Sequence, residues 1–320
     1  MSKLRIAVVG AGAFGRNHMR VIRSLPEAEL TAVCDTDPAR AAAAAAEFGC
    51  RALPLAALAG AIDAAVVAVP TFAHAEVGCA LLAAGIDVLV EKPIAPTLEA
   101  ADALIQTAAA HGRILQVGHL ERFNPAVTAL AERITVPLFF EIHRLSLFTP
   151  RALDVDVVLD LMIHDIDILL ALTGRMPEEV RAAGISILSD KVDIANVRLA
   201  FPGGCVANVT ASRVYTERVR KMRLFQPHQY ISLDYQKQEA VAFSVAGDRQ
   251  IGYDPFRITK AEPLALELAH FVACVTGRTT PRVDGVEARK ALAVSLDILH
   301  HIEVHARTIH EALAAHPTQL

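Results

Sequence analysis

The chain has 320 residues, 53% of them hydrophobic, which is enough for the cores of two domains. Its net charge is −4 and it has no long basic tract, so nucleic acid is not an expected partner. Its apolar runs fall short of the ~20 residues of a membrane span, so no membrane association is expected. The five cysteines include no Cys-x-x-Cys pair, which argues against a disulfide framework and a cysteine zinc site. The first residues lead into a strand with no signal-peptide pattern, and we expect a cytoplasmic protein.

The first motif in the chain is an apolar strand, a glycine turn and a helix. The strand is expected over 4–9 and the helix over 16–25. Gly10 suits the tight turn, Gly12 lets the backbone approach a pyrophosphate, and Gly15 lets the helix pack close to the strand. The free N–H groups at the start of the helix face the anion. The residues expected to bind a dinucleotide here are Gly10, Gly12, Ala13, Phe14 and Gly15.

A carboxylate follows the second strand, at the position that dinucleotide-binding units use for the adenosine ribose. This strand, 30–34, ends in Asp35, which stands twenty residues after Gly15. The Asp35 carboxylate can accept hydrogen bonds from ribose hydroxyls and repels a 2′-phosphate, and neither Thr36 nor Asp37 is an arginine that would neutralise one. NAD is therefore predicted rather than NADP. The alternative is a helix-capping aspartate beside ordinary glycines.

Short strands and helices alternate over the rest of the N-terminal third. Asp37 and Pro38 form a helix start, and this helix is expected to end at Gly49. The later elements are strands at 62–69, 86–90 and 114–117 and helices at 73–84 and 98–111. Such alternation, with right-handed crossovers, predicts an α/β fold with a doubly wound parallel sheet, a dinucleotide-binding Rossmann domain, over residues 1–120.

The ligand crevice of such a sheet lies at the carboxyl ends of its strands. Pro70 and Thr71 follow one strand and begin the segment that contains His74, and all three are expected to meet the cofactor. The next strand delivers Glu91 and Lys92 to the same edge. Glu91 is expected to fix either Lys92 or the nicotinamide side of the site.

The pattern changes after residue 120, and residues 121–320 are predicted to form an α+β domain that binds substrate and holds subunits together. Helices are expected at 157–172, 264–276 and 286–314. Strands are expected at 138–148, 180–188, 194–201, 205–214, 219–225, 230–233 and 240–245. Because helices are missing between most of these strands, the sheet should be open and mostly antiparallel, with about six strands. Its uncovered face predicts a homodimer or homotetramer.

One helix of the second domain carries a carboxylate and an imidazole four residues apart. Asp160 and His164 therefore share a helix face, and the carboxylate can orient the imidazole. Oxidation of an alcohol needs a base for the hydroxyl proton, which His164 can provide, and a donor to the reacting oxygen, which Lys92 can provide. Proton relay is the alternative role for Lys92, and a capped helix pair and a solvated lysine are the alternatives without chemistry. Asp165 and Asp167 are expected to be exposed, and the alternative is that one of them points to the pocket.

Three stretches together resemble the Gfo/Idh/MocA oxidoreductase family: the glycine turn, Glu91-Lys92-Pro93 and Asp160-Leu161-Met162-Ile163-His164-Asp165. The resemblance covers the whole chain. It implies an NAD-dependent oxidoreductase acting on CH–OH groups, in which Lys92, Asp160 and His164 do the acid–base work. Such hydride chemistry needs no metal, and none is expected.

Two segments, 117–125 and 160–167, resemble the branch of that family that acts on UDP-linked N-acetylhexosamines. The resemblance implies oxidation of the 3-hydroxyl of UDP-N-acetylglucosamine to the 3-keto sugar, which a transaminase then converts toward a diamino sugar for lipid A. Arginine forks suit the diphosphate of this substrate. The residues expected to bind substrate are His119, Glu121, Arg122, Asn124 and Arg213. For the basic run that contains Arg213, a solvated sheet face is the alternative.

Other functions remain open on the sequence alone. The same scaffold carries sugar and polyol dehydrogenases and biliverdin-type reductases, and a non-catalytic NAD-sensing protein would share the cofactor motif. Many sugar dehydrogenases of the family have glycines around the second motif, where this chain has Val158, Leu159 and Met162. Their bulk disfavours a small polyol substrate.

Overall fold

The structure is a computed structural model that describes residues 3–148, 155–245 and 250–315. Its internal contacts divide the chain into two units. The first unit comprises 1–123 and 261–292, and the second comprises 124–260 and 293–320. A single boundary at residue 120 would assign 261–292 to the second domain, whereas the contacts group this segment with the first.

A parallel sheet lies at the centre of the first unit. Across the described residues it has six strands in the order β3-β2-β1-β4-β5-β6, and all neighbouring strands run parallel. Because the strand order reverses between β1 and β4, the sheet is doubly wound, as predicted. The carboxyl ends of its strands share one edge. The strands are β1 (Leu4–Val9), β2 (Ala28–Cys34), β3 (Arg51–Ala52), β4 (Ala64–Val67), β5 (Asp87–Glu91) and β6 (Leu115–Gly118).

The helices of the first unit begin and end close to the predicted residues. They are α1 (Ala13–Ser24), α2 (Pro38–Phe48), α3 (His74–Ala83), α4 (Leu98–Ala110), α7 (Pro263–Gly277) and the first part of α8 (Gly285–Ala315). Asp37 caps α2 by accepting hydrogen bonds from the N–H groups of Ala39 and Arg40, and Gly49 ends the helix with a φ of 68°. These two signals were read correctly from the sequence.

Helix α7 belongs to the first unit because it completes its hydrophobic core. Leu268 and Phe271 of α7 are fully buried in the same cluster as Ile22 of α1 and Val33 of β2. Burial of side chains of this size stabilises the fold by about 1.5–3 kcal/mol each. The core of the nucleotide-binding unit is therefore built from both ends of the sequence.

An open sheet forms the second unit. In the described part it has eight strands in the order β14-β13-β12-β11-β7-β10-β9-β8, so the predicted number, about six, was too low. Neighbouring strands run antiparallel except β7 and β10, which are parallel. The strands are β7 (Phe139–Leu147), β8 (Glu179–Ile185), β9 (Ile194–Ala200), β10 (Val206–Tyr215), β11 (Val219–Gln226), β12 (Gln229–Asp234), β13 (Glu239–Val245) and β14 (Ile251–Pro255).

One face of this sheet carries a row of aromatic rings. The inward side chains of β7 and β11 are buried, while the outward ones are half-buried or exposed. Successive ring centroids in the row lie 5.0 to 5.7 Å apart. The row consists of Phe139, Phe225, Tyr230, Phe243 and Tyr253. The open sheet therefore presents apolar surface on its outer face.

The helix that carries Asp160 and His164 begins irregularly. Val158–Met162 forms a π-helical turn, and α6 (Ile163–Thr173) continues from it and ends at Gly174 with a φ of 65°. A uniform α-helix was predicted over this segment. In the wider π-helical turn, residues four apart do not stack as they do in an α-helix. The predicted shared face of Asp160 and His164 assumes α-helical spacing, which this turn does not have.

The remaining short helix of the described second unit is α5 (Pro125–Ala131).

Candidate active site

The glycine turn at the end of β1 has the shape that a dinucleotide pyrophosphate requires. Gly10 has a φ of +102°, and a Cβ on it would lie 2.4 Å from the carbonyl oxygen of Ala68. A Cβ on Gly15 would lie 1.8 Å from the carbonyl oxygen of Gly10. By contrast, Gly12 is exposed, and nothing lies within 4 Å of the Cβ position. Packing therefore explains two of the glycines, and the third leaves open space for a ligand.

The start of α1 offers N–H groups to an anion in that space. The helix begins at Ala13, and its N-cap residue Gly12 makes no side-chain cap hydrogen bond. Phe14, in the first turn, is half exposed. The orphan N–H groups of a helix start and the helix dipole both favour a phosphate group. The residues present therefore fit a dinucleotide. The binding roles of Gly12, Ala13 and Phe14 stay predictions.

Asp35 follows β2 at the same sheet edge. Its Oδ2 accepts a hydrogen bond from the N–H of Ala11 at 2.8 Å, and its Oδ1 accepts one from the N–H of Asp37 at 2.9 Å. The exposed Arg40 places Nη1 3.5 Å from Oδ1 of Asp35. The residues directly after Asp35 include no arginine, so the sequence pattern does not reveal this arginine in the first turn of α2.

His74 connects the loop after β4 with the loop after β5 through contacts with one backbone carbonyl oxygen in each loop. This imidazole is buried, with Nδ1 2.9 Å from the carbonyl oxygen of Pro93 and Nε2 3.0 Å from that of Val69. Burial lowers the pKa of His74, which favours the neutral ring. Both ring nitrogens face carbonyl oxygens of the same unit, and the neutral ring donates to one of them. Pro70 is exposed and Thr71 is half-buried. Cofactor contacts by these three residues stay predictions.

Glu91 and Lys92 follow β5, beside the end of β6. The Glu91 carboxylate is buried, and its Oε2 accepts a hydrogen bond from the N–H of Lys92 at 3.2 Å. Its Oε1 lies 2.6 Å from Nε2 of the fully buried His18. A Cβ on Gly118 would lie 2.9 Å from Oε2 of the same carboxylate. Lys92 itself is half-buried.

His18 was missed from the sequence. A signal for it exists, because His18 stands three residues after Gly15 and so lies on the face of α1 that packs against the sheet. A polar side chain on a buried helix face needs a partner. The partner, Glu91, is 73 residues away in the chain, and the sequence alone does not reveal that pairing.

The segment after β6 contains three of the residues predicted to bind substrate. His119 and Glu121 are buried, and Arg122 is half-buried. Burial, together with the positive charges of Lys92 and Arg122, lowers the pKa of His119 to about 3. His119 is therefore a neutral imidazole at physiological pH.

This shift makes His119 a source of acid sensitivity. Because the folded pKa is about 3 and the ordinary value is 6.5, the unfolded chain binds the extra proton between these values, and stability falls as the pH drops below 6.5. At pH 5 the expected loss relative to pH 7 is about 2 kcal/mol. Urea denaturation at pH 7 and pH 5 should show that His119→Gln loses less stability on acidification than the unchanged chain.

The exposed His111 provides the matched control for this measurement. His111→Gln removes an imidazole that folding does not bury, so it should keep the full acid sensitivity of the unchanged chain. Equal acid sensitivity in His119→Gln and His111→Gln would show that His119 is not the buried neutral group described here.

In the second unit, two predicted substrate-binding residues make contacts that stabilise the fold. Asn124 accepts a hydrogen bond from the N–H of Ala126 at the start of α5 and donates one to the carbonyl oxygen of Tyr235, both at 3.1 Å. Arg213 is buried, and its Nε lies 3.4 Å from Oδ1 of Asp193. It also donates to the carbonyl oxygens of Val155 and Val192. Their contacts with a substrate stay predictions.

The residues around His164 are more buried than the sequence indicated. His164 is buried and Asp160 half-buried. Asp165 was expected to be exposed, but it is 0% exposed and accepts two hydrogen bonds from the Arg144 guanidinium, at 2.7 and 2.8 Å. Asp167 was also expected to be exposed and is 2% exposed. Arg144 reaches Asp165 from β7, which anchors the start of α6 to the sheet.

None of the helices in the described ranges is both long and apolar enough to cross a membrane. No group of three or more His, Cys, Asp or Glu side chains is arranged to hold a metal ion in the part of the chain that the structure describes.

Comparison with known proteins places these features in a family. Residues 4–119 match the family model described as "Oxidoreductase family, NAD-binding Rossmann fold", and residues 140–227 match the "GFO/IDH/MocA C-terminal domain". The UDP-N-acetylglucosamine 3-dehydrogenase of Acidithiobacillus ferrooxidans is 36% identical over 313 residues, covering 95% of this chain and 98% of that protein. The chain belongs to the Gfo/Idh/MocA oxidoreductase family.

The three-dimensional fold agrees with membership of the Gfo/Idh/MocA family. A solved structure of the same Acidithiobacillus ferrooxidans enzyme has a TM-score of 0.89 and covers 95% of this chain and 99% of that chain. The scyllo-inositol 2-dehydrogenase (NAD(+)) of Bacillus subtilis is 28% identical, covering 92% of each chain. The predicted family, fold class, oxidoreductase activity and NAD cofactor are confirmed.

The NAD preference of this Gfo/Idh/MocA protein should depend on the balance between Asp35 and Arg40. Asp35→Ser removes the charge that repels a 2′-phosphate, and Arg40 can then bind that phosphate. Since a hydrogen bond to a charged group contributes about 1.5–3 kcal/mol, NADPH affinity should rise roughly tenfold to hundredfold relative to NADH. Titration of NADH and NADPH fluorescence measures both affinities.

The double variant Asp35→Ser/Arg40→Gln is the control for this result. It lacks both the repelling carboxylate and the guanidinium, so most of the gain for NADPH should disappear. If the double variant binds NADPH as well as Asp35→Ser does, Arg40 plays no part in reading the 2′-position.

Proposed function

We propose that this protein oxidises the 3-hydroxyl of UDP-N-acetylglucosamine to a ketone, with NAD as the hydride acceptor. The observation that carries the proposal is the 36% identity to the Acidithiobacillus ferrooxidans UDP-N-acetylglucosamine 3-dehydrogenase, which extends over 95% of this chain. The glycine turn, Asp35 and the residues after β5 provide the cofactor-binding half of such an enzyme. The 3-keto sugar produced is a suitable substrate for a transaminase that forms a diamino sugar.

The residues of the chain divide the chemistry between them. The bond from C3 to hydrogen breaks and the hydride passes to the nicotinamide, which is the chemistry that NAD supplies when bound. His164 takes the hydroxyl proton, and Asp160 orients the imidazole. The Lys92 ammonium donates a hydrogen bond to the oxygen as it gains negative charge. The products are the oxidised sugar, NADH and one proton, and the two electrons lost by the sugar are carried by NADH.

Arg122 is the residue proposed to bind the diphosphate of the substrate. Arg122 carries a charge beside His119, as the lowered pKa of His119 reflects. Its guanidinium is a suitable donor for diphosphate oxygens. The remaining residues proposed to contact the substrate are His119, Glu121, Asn124 and Arg213.

The test is turnover of the purified full-length chain. UDP-N-acetylglucosamine and NAD should give NADH absorbance and, without a transaminase, a product that lacks two hydrogens by mass spectrometry. Adding a transaminase and an amino donor should consume this ketone and increase the yield of NADH. His164→Asn should bind NADH but give no comparable turnover. Reduction of NAD with scyllo-inositol or another polyol, and none with UDP-N-acetylglucosamine, would assign the protein to a different substrate.

The proposal includes a homodimer or homotetramer formed through the open sheet. The support is the aromatic row on its outer face, in which Tyr253 is 67% exposed. Exposed apolar patches of this kind mark association surfaces. Light scattering should show a larger species than one chain, and Tyr253→Glu should shift it toward the monomer.

A cytoplasmic location is also proposed, and cell fractionation tests it.

A further inference from the structure

A buried pair of side chains connects the glycine turn with Lys92. His18 lies on α1, and its Nε2 is 2.6 Å from Oε1 of Glu91. The Phe14 ring, from the first turn of the same helix, packs edge-on against His18 with centroids 5.8 Å apart. The other oxygen of Glu91 accepts the N–H of Lys92. Glu91 thus joins the cofactor turn to the residue that follows β5.

The hydrogen bonding of His18 identifies its tautomer. Nδ1 of this fully buried ring has no hydrogen-bond partner among the described residues. A proton on Nδ1 would leave an N–H group buried without an acceptor, which costs more than an unfilled lone pair on that nitrogen. A proton on Nε2 satisfies both side chains, because a carboxylate oxygen accepts hydrogen bonds. In this form His18 donates to the Glu91 carboxylate.

Gly118 limits where that carboxylate can lie. A Cβ at this position would be 2.9 to 3.0 Å from three atoms of the carboxyl group. Contacts this short between a Cβ and other heavy atoms require one group to move. The carboxylate therefore fills the space beside Gly118, and His18 holds it there through its hydrogen bond.

We propose that His18 is a positioning residue for Lys92. By fixing the Glu91 carboxylate, His18 also fixes the N–H of Lys92 and hence the direction in which the lysine side chain leaves the end of β5. This inference rests on the proposed function in taking Lys92 as the donor to the reacting oxygen. Misplacement of a catalytic group by about 1 Å can cost on the order of 10²-fold in rate.

The decisive substitutions are His18→Leu and His18→Gln. Leucine removes the donor and keeps apolar volume, so kcat should fall by roughly 10- to 100-fold while the KM for the UDP-sugar and the NADH affinity change less than about threefold. Glutamine retains an N–H donor, and its kcat should stay within about threefold of the unchanged enzyme. A merely structural role would lower stability without this split and without rescue by glutamine.

Gly118→Ala and Gly78→Ala are the matched glycine variants. Gly118→Ala displaces the Glu91 carboxylate and should reproduce the kinetic signature of His18→Leu. Gly78→Ala places a Cβ 2.5 Å from Cδ2 of Leu104, so it disturbs packing in the same unit without touching Glu91. Its kcat, measured on the folded protein, should match that of the unchanged enzyme.

A measurement without turnover keeps this inference separate from the proposed substrate. The rate at which an amine-acylating reagent modifies Lys92, followed by peptide mass spectrometry on the full chain, should rise at least about threefold in His18→Leu because the lysine is less restrained. It should stay unchanged in His18→Gln and Gly78→Ala. If the unchanged enzyme does not oxidise UDP-N-acetylglucosamine, the proposed function fails and the acylation rates still decide the role of His18. Equal acylation rates in His18→Leu and the unchanged chain overturn the inference.

Discussion

Replacing Lys92 by methionine is expected to lower kcat for sugar oxidation by about 10²–10³-fold, with NADH binding retained. Methionine keeps an unbranched chain of similar length but removes every donor to the reacting oxygen. The backbone should stay in place, because the N–H of residue 92 can still donate to Glu91 in the variant. Steady-state rates with UDP-N-acetylglucosamine and a fluorescence titration of NADH measure the two quantities.

Lys290→Met provides the comparison for Lys92→Met. Lys290 is a partly exposed lysine of the same unit, paired with Glu287 at 2.6 Å, and exposed pairs contribute little to stability. This variant should retain full turnover. A Lys92→Met enzyme that works as fast as Lys290→Met would remove Lys92 from the chemistry and leave the fold and the cofactor turn as the supported features.

Replacing Arg144 by leucine is expected to lower the free energy of unfolding by about 3–5 kcal/mol. Arg144 is 1% exposed and holds the fully buried Asp165 with two hydrogen bonds, and its guanidinium also lies over the Tyr235 ring, 5.2 Å from the centroid. Leucine leaves the Asp165 carboxylate buried without these donors. Urea denaturation of the full chain, followed by circular dichroism, measures the loss.

Two further variants show whether burial is the cause. Arg144→Leu/Asp165→Leu removes both charges, so it should recover much of the stability that Arg144→Leu loses. Arg223→Leu breaks a more exposed pair on the outer face of the sheet, where Arg223 lies 2.7 Å from Glu141, and should cost less than about 1 kcal/mol. Equal losses in Arg144→Leu and Arg223→Leu would contradict the account of a buried pair.

The parts of the fold that sequence predicted well are those with strong local signals. The helix start at Asp37 and Pro38 and its end at Gly49 depend on capping groups within a few residues. The buried strands of the parallel sheet read as continuous apolar runs. The strand Arg51–Ala52 and the exposed edge strand Ile251–Pro255 lack both signals, and they were missed.

Features that depend on distant partners were not predicted. Asp165 was expected to be exposed because aspartates usually are, and its actual burial depends on Arg144, 21 residues earlier in the chain. The π-helical turn at Val158–Met162 differs from an α-helix by a small change in period that a short segment does not display. The return of α7 to the first unit depends on a shared core with Ile22 and Val33.

For the candidate site, the sequence identified residue types and the structure added their partners. Lys92, Asp160 and His164 were selected by motif and spacing. The position of Arg40 beside Asp35 and the pairing of His18 with Glu91 depend on how α2 and α1 pack against the sheet edge. Both contacts bear directly on questions that the motif left open, namely the choice of cofactor and the placement of the lysine.

The space shared by Gly118 and the Glu91 carboxylate also constrains how these two positions evolve. A related sequence that keeps glutamate at 91 is expected to keep glycine at 118, since an alanine methyl would meet the carboxyl group at 2.9 to 3.0 Å and displace it. A shorter residue at 91 would release position 118 to accept a side chain. The two positions should therefore change together, and an alignment of homologues in which they vary independently would contradict this dependence.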